Sequence, residues 1–354
     1  MSRFFSPKYR ELKPYVPGEQ PAGGPVIKLN TNEMPFPPRR IVWDRVREEA
    51  TRLNLYSDPD CAALREKLAE TMKVSPDNLI ITNGSDEVLN FAFMAFCDAR
   101  TPAVFPDVTY GFYPVFARID QVPFREIPLK EDWTVDPKDY EGAGGTIFLA
   151  NPNAPTGLAL SRREIAQILE KNPDHVVVID EAYVDFGGES CISLIDRYPN
   201  LLVTRTFSKS RAMAGMRLGF GVANPELIRD LKTVQYSTNP YNVDRLAQAA
   251  GIACLEDDGW NQANVRLIRD VRDQTAQRLK ALGFGMTESR TNFLFVRHPA
   301  FPGPSLRDAL RKKNILIRWF DQERIWDWNR ISIGSLPQMN ALVQAVTELL
   351  EEKA

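Results

Sequence analysis

The sequence predicts an α/β protein, with a large doubly wound, mostly parallel sheet joined to a smaller α+β unit. Three observations carry this. Strand-like and helix-like stretches alternate over 75–222, as they do when each strand is followed by a crossover helix. One of them, HVVVIDEAY (175–183), is a β-branched run ending in two acids and a tyrosine, as expected of a buried parallel strand with polar groups at its carboxyl end. After 222 the alternation gives way to long helical patterns at 225–255 and 259–282, then to short strand and helix patterns. These breaks divide the 354 residues into an arm (1–40), a large domain (41–240) and a linking helix with a small domain (241–354).

Composition narrows the chemistry. A hydrophobic fraction of 44% and a charged fraction of 25% describe an ordinary soluble protein. The net charge of −2 leaves no footprint for nucleic acid or an anionic membrane, so anion binding must be local. The apolar runs are shorter than a bilayer span, and MSRFFSPKYRELKP has no signal-peptide core, which predicts a cytoplasmic protein. Cys61, Cys97, Cys191 and Cys254 are scattered without a CxxC spacing and read as free thiols. With only His175 and His298, histidine triads and His-rich metal sites are nearly excluded, and no metal is expected. No GxGxxG follows a strand, which disfavours a nicotinamide fold. The chemistry must use Lys, Tyr, Arg and carboxylates.

In chain order, the proline-rich arm is expected to be extended and to pack on something else. It carries Tyr15 in LKPYVPGEQ and Asn30, Asn32 and Glu33 in IKLNTNEMPFPP, which on composition alone are turn formers. Ile41, Val42, Val46, Ala50 and Leu53 have near-helical spacing, and a second helix starts after Asp58-Pro59 with Ala62, Leu64, Leu68 and Met72 inward. Tyr56 stands just before that start. NLIITNGSDEVLNFAFMAFCD (78–98) runs from a strand through Gly84, Ser85 and Asp86 into a helix, whose first N–H groups can receive a phosphate. In 101–118, Tyr110 falls at a strand end where its ring can stack on a flat heterocycle, while Tyr113 reads as packing. Strand, turn and amphipathic helix follow over 145–172.

Lys209 is the focus of the chain. LLVTRTF before it reads as a buried strand, and AGMRLGFG after it is small and Gly-rich, with a second cation at Arg217. An amine held there can lose its proton and attack a carbonyl, so Lys209 is the candidate Schiff-base former. Asp180, at the end of the other strand, can pair with a pyridinium nitrogen and keep it protonated, which makes pyridoxal phosphate an electron sink. Tyr183 can reach the ring hydroxyl. Thr206, Ser208 and Arg217 join Gly84, Ser85 and Asp86 around one anion pocket.

With DEAY at 180–183, SK eight residues before Arg217, and AGxRxGF around it, the chain resembles the fold-type I pyridoxal-phosphate aminotransferases of class I and II. LxPYxPG followed by LNxNExPF is similar to the amino terminus of the histidinol-phosphate aminotransferase family. The resemblance implies a homodimer in which Tyr56 reaches the neighbouring subunit's cofactor phosphate. It implies Tyr110 as the residue stacked on the ring, and Tyr15, Asn32, Arg318 (in ILIRWF) and Arg330 (in RISIGS) as substrate contacts, the two arginines serving carboxylate and phosphate. One departure stands out: the family's NPNNPTG is NPNAPTG here, with Ala154 where an asparagine bonds the ring oxygen. Either Asn153 or Asn151 takes that place, or Tyr183 holds the oxygen with less help; Asn153 is carried as the candidate ligand. Pro155 is a candidate cis proline. Trp319, Phe320, Trp326 and Trp328 read as packing.

The implied reaction is transamination of L-histidinol phosphate with 2-oxoglutarate. On the same frame, aromatic amino-acid aminotransferases and threonine-phosphate decarboxylases are the alternatives. A non-catalytic pyridoxal-phosphate-binding sensor needs a DNA-reading domain for which the chain has no spare length, and a cofactor-free aldolase using Lys209 is a further rival.

Overall fold

The computed structural model describes residues 2–10, 12–21 and 23–353. The arm contributes β1 (Ile27–Lys28) and leads into α1 (Arg40–Ala50) and α2 (Ala62–Met72). Asp58 fixes the start of α2, accepting the Ala62 N–H at 2.8 Å. The alternating region then unfolds as β2 (Leu79–Thr82), α3 (Ser85–Phe96), β3 (Ala103–Pro106), α4 (Tyr113–Ile119), β4 (Phe124–Ile127), β5 (Thr146–Ala150), α5 (Arg162–Lys171), β6 (Val177–Asp180), β7 (Leu201–Thr206) and β8 (Gly219–Ala223). Three helices follow, α6 (Pro225–Thr238), α7 (Arg245–Glu256) and α8 (Asp258–Ala281).

The strands form one sheet in the order β2-β8-β7-β6-β5-β3-β4. They are apolar on both faces because helices cover both. Ile81, Ile147, Val177 and Val203 face α2, α5 and α7, while the alternate residues Ile80, Phe148, Val178 and Leu202 face α3, α4 and α6. Only β8 runs against its neighbours, and Gly219 at its start lies opposite both Thr82 and Thr206. The stretch leading into β8 therefore sits at the carboxyl ends of β2 and β7. That is where a doubly wound sheet collects polar groups.

The remaining chain forms β9 (Gly285–Met286), β10 (Phe293–Arg297), α9 (Ser305–Lys312), β11 (Ile315–Leu316), β12 (Arg318–Trp319), β13 (Asn329–Ser332) and α10 (Leu336–Glu351). An antiparallel sheet, β12-β13-β10-β9, packs against α8, α9 and α10 through Ile268, Phe293, Leu306, Ile331 and Leu342.

The arm packs on the carboxyl-terminal unit: β1 pairs in parallel with β11, and Leu29 lies in the carboxyl-terminal core. One boundary differs from that expected: α7, placed beyond 240, packs its Ala247, Ala250 and Cys254 in the core of the large sheet with Val42, Leu64 and Leu218. An amphipathic pattern shows that a helix buries one face, but not what covers it. Trp328 packs as expected, stacked on Phe295 with ring centroids 4.6 Å apart, whereas Trp326 keeps nearly half its surface exposed. All four cysteines are free and buried. Among the described residues no helix is long and apolar enough to cross a membrane.

Candidate active site

A cavity opens at the carboxyl ends of β2, β5, β6 and β7, lined on its floor by Asp180 and on its walls by Ser85, Tyr110, Tyr183, Ser208, Lys209 and Arg217. One end is shaped to take an anion. The first turn of α3 presents the Ser85 N–H, and the residues against it have no room for side chains. Gly84 has φ +81°, and a Cβ there would sit 2.6 Å from Arg217 Nη2; a Cβ on Gly219 would overlap the Ser85 nitrogen. Arg217 Nη1 lies 3.4 Å from Ser208 Oγ, and its Nη2 lies 3.4 Å from Asp86 Oδ2. Both contacts are long, which leaves most of the fork for a ligand. Thr206 is turned inward at the end of β7, where its Oγ1 accepts the Ser208 N–H at 3.1 Å.

The floor is a buried carboxylate that pairs with no cation among the described residues. Asp180 Oδ1 accepts the Ala182 N–H and the Thr204 hydroxyl, both at 3.2 Å, and Oδ2 accepts the Tyr113 hydroxyl at 3.4 Å. Burial pushes this carboxyl up to about 6; repulsion from Asp86 adds to the rise, and the three donors oppose it. A protonated ring nitrogen is the partner this carboxylate lacks. Glu181, the other acid of the motif, points to the opposite face and accepts from Ser190 Oγ at 2.7 Å.

Lys209 is half-buried, with its Nζ 3.4 Å from the Thr31 carbonyl oxygen and 5.6 Å from the centre of the Tyr183 ring. Tyr110 stands on the loop between β3 and α4 and donates its hydroxyl to Asp86 Oδ1 at 2.7 Å. At the mouth, Tyr15 of the arm stacks on Phe112 with centroids 4.4 Å apart. Arg330 donates to the Asn30 carbonyl at 3.2 Å and lies over the rings of Phe293 and Phe320. Its Nε is buried without a partner. Loss of water pulls this guanidinium below its ordinary value; Tyr183 and Tyr15 oppose that, and Arg318 reinforces it. Arg318 donates to the carbonyls of Val16 and Pro17 at 2.8 and 3.2 Å.

Three expected residues stand elsewhere. Asn153 is not available as a ring ligand: its Nδ2 donates to the Val108 carbonyl and to Thr156 Oγ1, both at 3.0 Å, and its Oδ1 accepts from Thr109 at 2.8 Å. Asn151 is likewise committed to Leu160, and only the small Ala154 lines the cavity at this loop. Asn32, expected among the substrate contacts, spends its amide on Tyr183 and Ser332 instead. Tyr56 does not line the cavity of its own chain; it is 80% exposed and stacks on Tyr241. Conversely, Tyr113 does more than pack. Its ring is fully buried against Phe105 and Phe148, yet its hydroxyl reaches Asp180. The only sequence signal for this was its position three residues after Tyr110, at the start of a helix.

Pyridoxal phosphate suits these residues on chemical grounds. The donor set at Ser85, Ser208 and Arg217 suits a phosphate, and the glycines at 84 and 219 let Arg217 and β8 approach the start of α3 closely. The uncompensated Asp180 suits a ring cation, and Lys209 offers the amine a carbonyl group requires.

Comparison with known proteins agrees with this chemistry. Residues 24–346 match the family described as aminotransferase class I and II. A protein of Chromohalobacter salexigens named histidinol-phosphate aminotransferase is 48% identical over 347 residues, covering 98% of this chain and 99% of that protein. One of the same name from Acetobacter pasteurianus is 45% identical over 351 residues, covering 99% of each. The crystal structure of histidinol-phosphate aminotransferase from Sinorhizobium meliloti in complex with pyridoxal-5'-phosphate superposes with a TM-score of 0.91 at 24% identity, over 100% of this chain and 99% of that one. At that identity the likeness speaks to the fold.

Proposed function

The chain belongs to the class I and II aminotransferases, and we propose that it transfers the amino group of L-histidinol phosphate to 2-oxoglutarate, giving imidazole-acetol phosphate and glutamate in histidine biosynthesis. The observation that carries the substrate is the pair Arg318 and Arg330. They lie opposite each other on β12 and β13 without carboxylate partners among the described residues, and Arg330 is tied through the Asn30 carbonyl to the arm segment whose Thr31 carbonyl meets Lys209, which suits a substrate with an anionic tail. The names of the relatives favour this reaction over an aromatic aminotransferase or a threonine-phosphate decarboxylase.

The cofactor is pyridoxal 5'-phosphate. The Ser85 N–H, Ser208, Thr206 and Arg217 would hold its phosphate, Asp180 its ring nitrogen and Tyr183 its ring oxygen, with Tyr110 beside the ring. When bound, it supplies a carbon that captures the substrate's amine and an electron-poor ring that takes up the charge left by the departing α-proton. The protein supplies the rest. Lys209 Nζ, whose polar contact among the described residues is the Thr31 carbonyl, would be free to swing, take the proton from the amine-bearing carbon of the substrate and deliver it to the cofactor carbon that holds the amine, so that the substrate leaves as the keto product. Asp180 stays ionised beside a ring cation, and Tyr113 and Thr204 keep its oxygens in place. Arg330 grips the carboxylate of glutamate with its fork, and Arg318 joins it on the phosphate of histidinol phosphate.

The active unit in this reading is a cytoplasmic homodimer. Tyr56, exposed on its own chain, reaches the cofactor phosphate of the partner subunit.

A half-reaction tests the substrate. Protein loaded with pyridoxal phosphate is mixed separately with histidinol phosphate, phenylalanine or threonine phosphate, without keto acid, and the visible band of the bound cofactor is followed. Rapid loss of the band with histidinol phosphate and slow loss with the others is expected. If phenylalanine converts the protein as fast, the substrate assignment falls.

A further inference from the structure

Three consecutive residues of the arm each touch a different side chain of the site. The Asn30 carbonyl accepts from Arg330 at 3.2 Å, the Thr31 carbonyl from Lys209 at 3.4 Å, and Asn32 Nδ2 lies 2.9 Å from Tyr183 Oη. The first two contacts are made by backbone. Only the third depends on which side chain the arm carries.

Counting protons decides the direction of that third contact. The backbone N–H of Asn32 can only donate, so Ser332 Oγ, 2.8 Å away, accepts it. The proton of Ser332 is then left for Asn32 Oδ1, also at 2.8 Å. This orients the carboxamide, with its oxygen on Ser332 and its nitrogen on Tyr183. An amide nitrogen does not accept, so Tyr183 Oη accepts here and keeps its own proton for another group. Among the described residues no side chain takes it.

Asn32 is well held for such a task. It is buried, has φ +57°, a left-handed conformation that asparagine tolerates better than most residues, and its carbonyl receives Asn292 Nδ2 at 2.9 Å.

We propose that Asn32 is a positioning residue that sets Tyr183 as a hydrogen-bond donor into the cavity, with Ser332 fixing the orientation of its amide. Ser332 lies on β13 two residues from Arg330, so the strand that carries an anion-binding cation also sets the tyrosine that faces the reaction. The inference rests on the aminotransferase reading for one point, that the proton of Tyr183 is offered to the ring oxygen of the cofactor. It also accounts for a site without the family's usual asparagine at 154: the arm holds Tyr183 in line from behind.

The test is a pH titration of the visible band of holoenzymes, backed by steady-state kinetics. A donor to the ring oxygen stabilises its anionic form, so weakening that donor shifts the band's transition to higher pH. Asn32→Gly keeps the left-handed backbone and removes the amide. It should raise the transition by about half to one pH unit and lower kcat about tenfold, with KM changed less than about twofold. Ser332→Ala, which frees the amide to flip, should move the transition the same way by a smaller amount. Asn32→Asp places an acceptor where the donor was, competes for the tyrosine proton, and should give the largest shift. Tyr183→Phe serves as the reference. If Tyr183→Phe shifts the transition while Asn32→Gly and Ser332→Ala both titrate like the parent, the positioning role is overturned and the function stands. A parent protein with no visible band after loading overturns the aminotransferase reading itself, and the inference with it.

Discussion

Arg318 and Arg330 sit directly opposite each other on β12 and β13, and neither forms an ion pair among the described residues. Opposed like charges on neighbouring strands cost stability unless a third group compensates them. Among the described residues the two arginines are met by the carbonyls of Val16, Pro17 and Asn30 and by the ring faces of Phe293 and Phe320, which are dipoles and quadrupoles and not counter-ions. A dianion at the mouth can answer both cations, and a monoanion only one. Arg318→Ala is therefore expected to raise KM for a phosphate-bearing amino donor by about 10- to 100-fold while changing that for glutamate much less. Arg330→Lys, which loses the fork but keeps the charge, should weaken both substrates. Steady-state kinetics with each substrate in turn checks this, and equal losses in Arg318→Ala would remove its phosphate role.

Among the described residues Lys209 makes one polar contact, a 3.4 Å approach to the Thr31 carbonyl, and no ion pair. Its truncation thus leaves no buried charge behind. Lys209→Ala should abolish transamination, with a loss of at least about 10⁴-fold, while stability stays within about 1 kcal/mol of the parent. Thermal melting and single-turnover assays on the same preparation separate the two effects. Near-normal turnover in this variant would refute the assignment of Lys209.

Asp180 makes the apoprotein's stability depend on pH. Burial, with Asp86 adding repulsion, raises its carboxyl from the ordinary aspartate range up to about 6. Between about pH 4 and that value the folded chain binds more protons than the unfolded one, so this contribution falls as pH rises through the window and is gone above it. The loss amounts to about 2 to 3 kcal/mol. Asp180→Asn carries no charge to desolvate and keeps groups that can meet Thr204 and Tyr113. Without cofactor it should melt higher than the parent near neutral pH, and the gap should shrink toward about pH 5. Cofactor should reverse the order, because only the carboxylate gains from a ring cation. A parent apoprotein that melts higher than Asp180→Asn at neutral pH would show that the carboxylate is already compensated. Turnover of the loaded variant should drop steeply.

What could be read from the sequence was what is local. Asp180, Tyr183 and Lys209 lie at or within three residues after the carboxyl end of a strand, and the doubly wound pattern alone brings such ends together; Arg217 joins them because β8 turns back along β7. The reversed direction of β8 was not legible, because a buried strand is equally apolar whichever way it runs. Tyr113 read as packing because its ring is packing; that its hydroxyl meets Asp180 follows from the order β6-β5-β3, which spacing along the chain does not encode. Asn153 looked like a ring ligand because it neighbours Ala154, yet Val108, Thr109 and Thr156 claim its amide first. Asn32 depends on Ser332, 300 positions away. Each miss is a contact set by topology.

Tyr56 raises the question of which chain completes the site. It stacks on Tyr241 with centroids 4.6 Å apart, remains 80% exposed and stays outside the cavity of its own chain, although the Tyr56 carbonyl is anchored by Arg245 Nη2 at 2.9 Å. A firmly anchored backbone carrying an exposed ring suits a residue that another subunit covers. If Tyr56 serves the partner's cofactor, Tyr56→Ala and Lys209→Ala damage different halves of one composite site. Each variant alone should be weak or inactive. After unfolding and refolding an equimolar mixture, half of the dimers are mixed, and each of these contains one site with both residues intact. Activity should recover to about a quarter of the parent value. Recovery well above the sum of the two variants supports the shared site. A mixture no more active than that sum places Tyr56 outside the chemistry of either subunit.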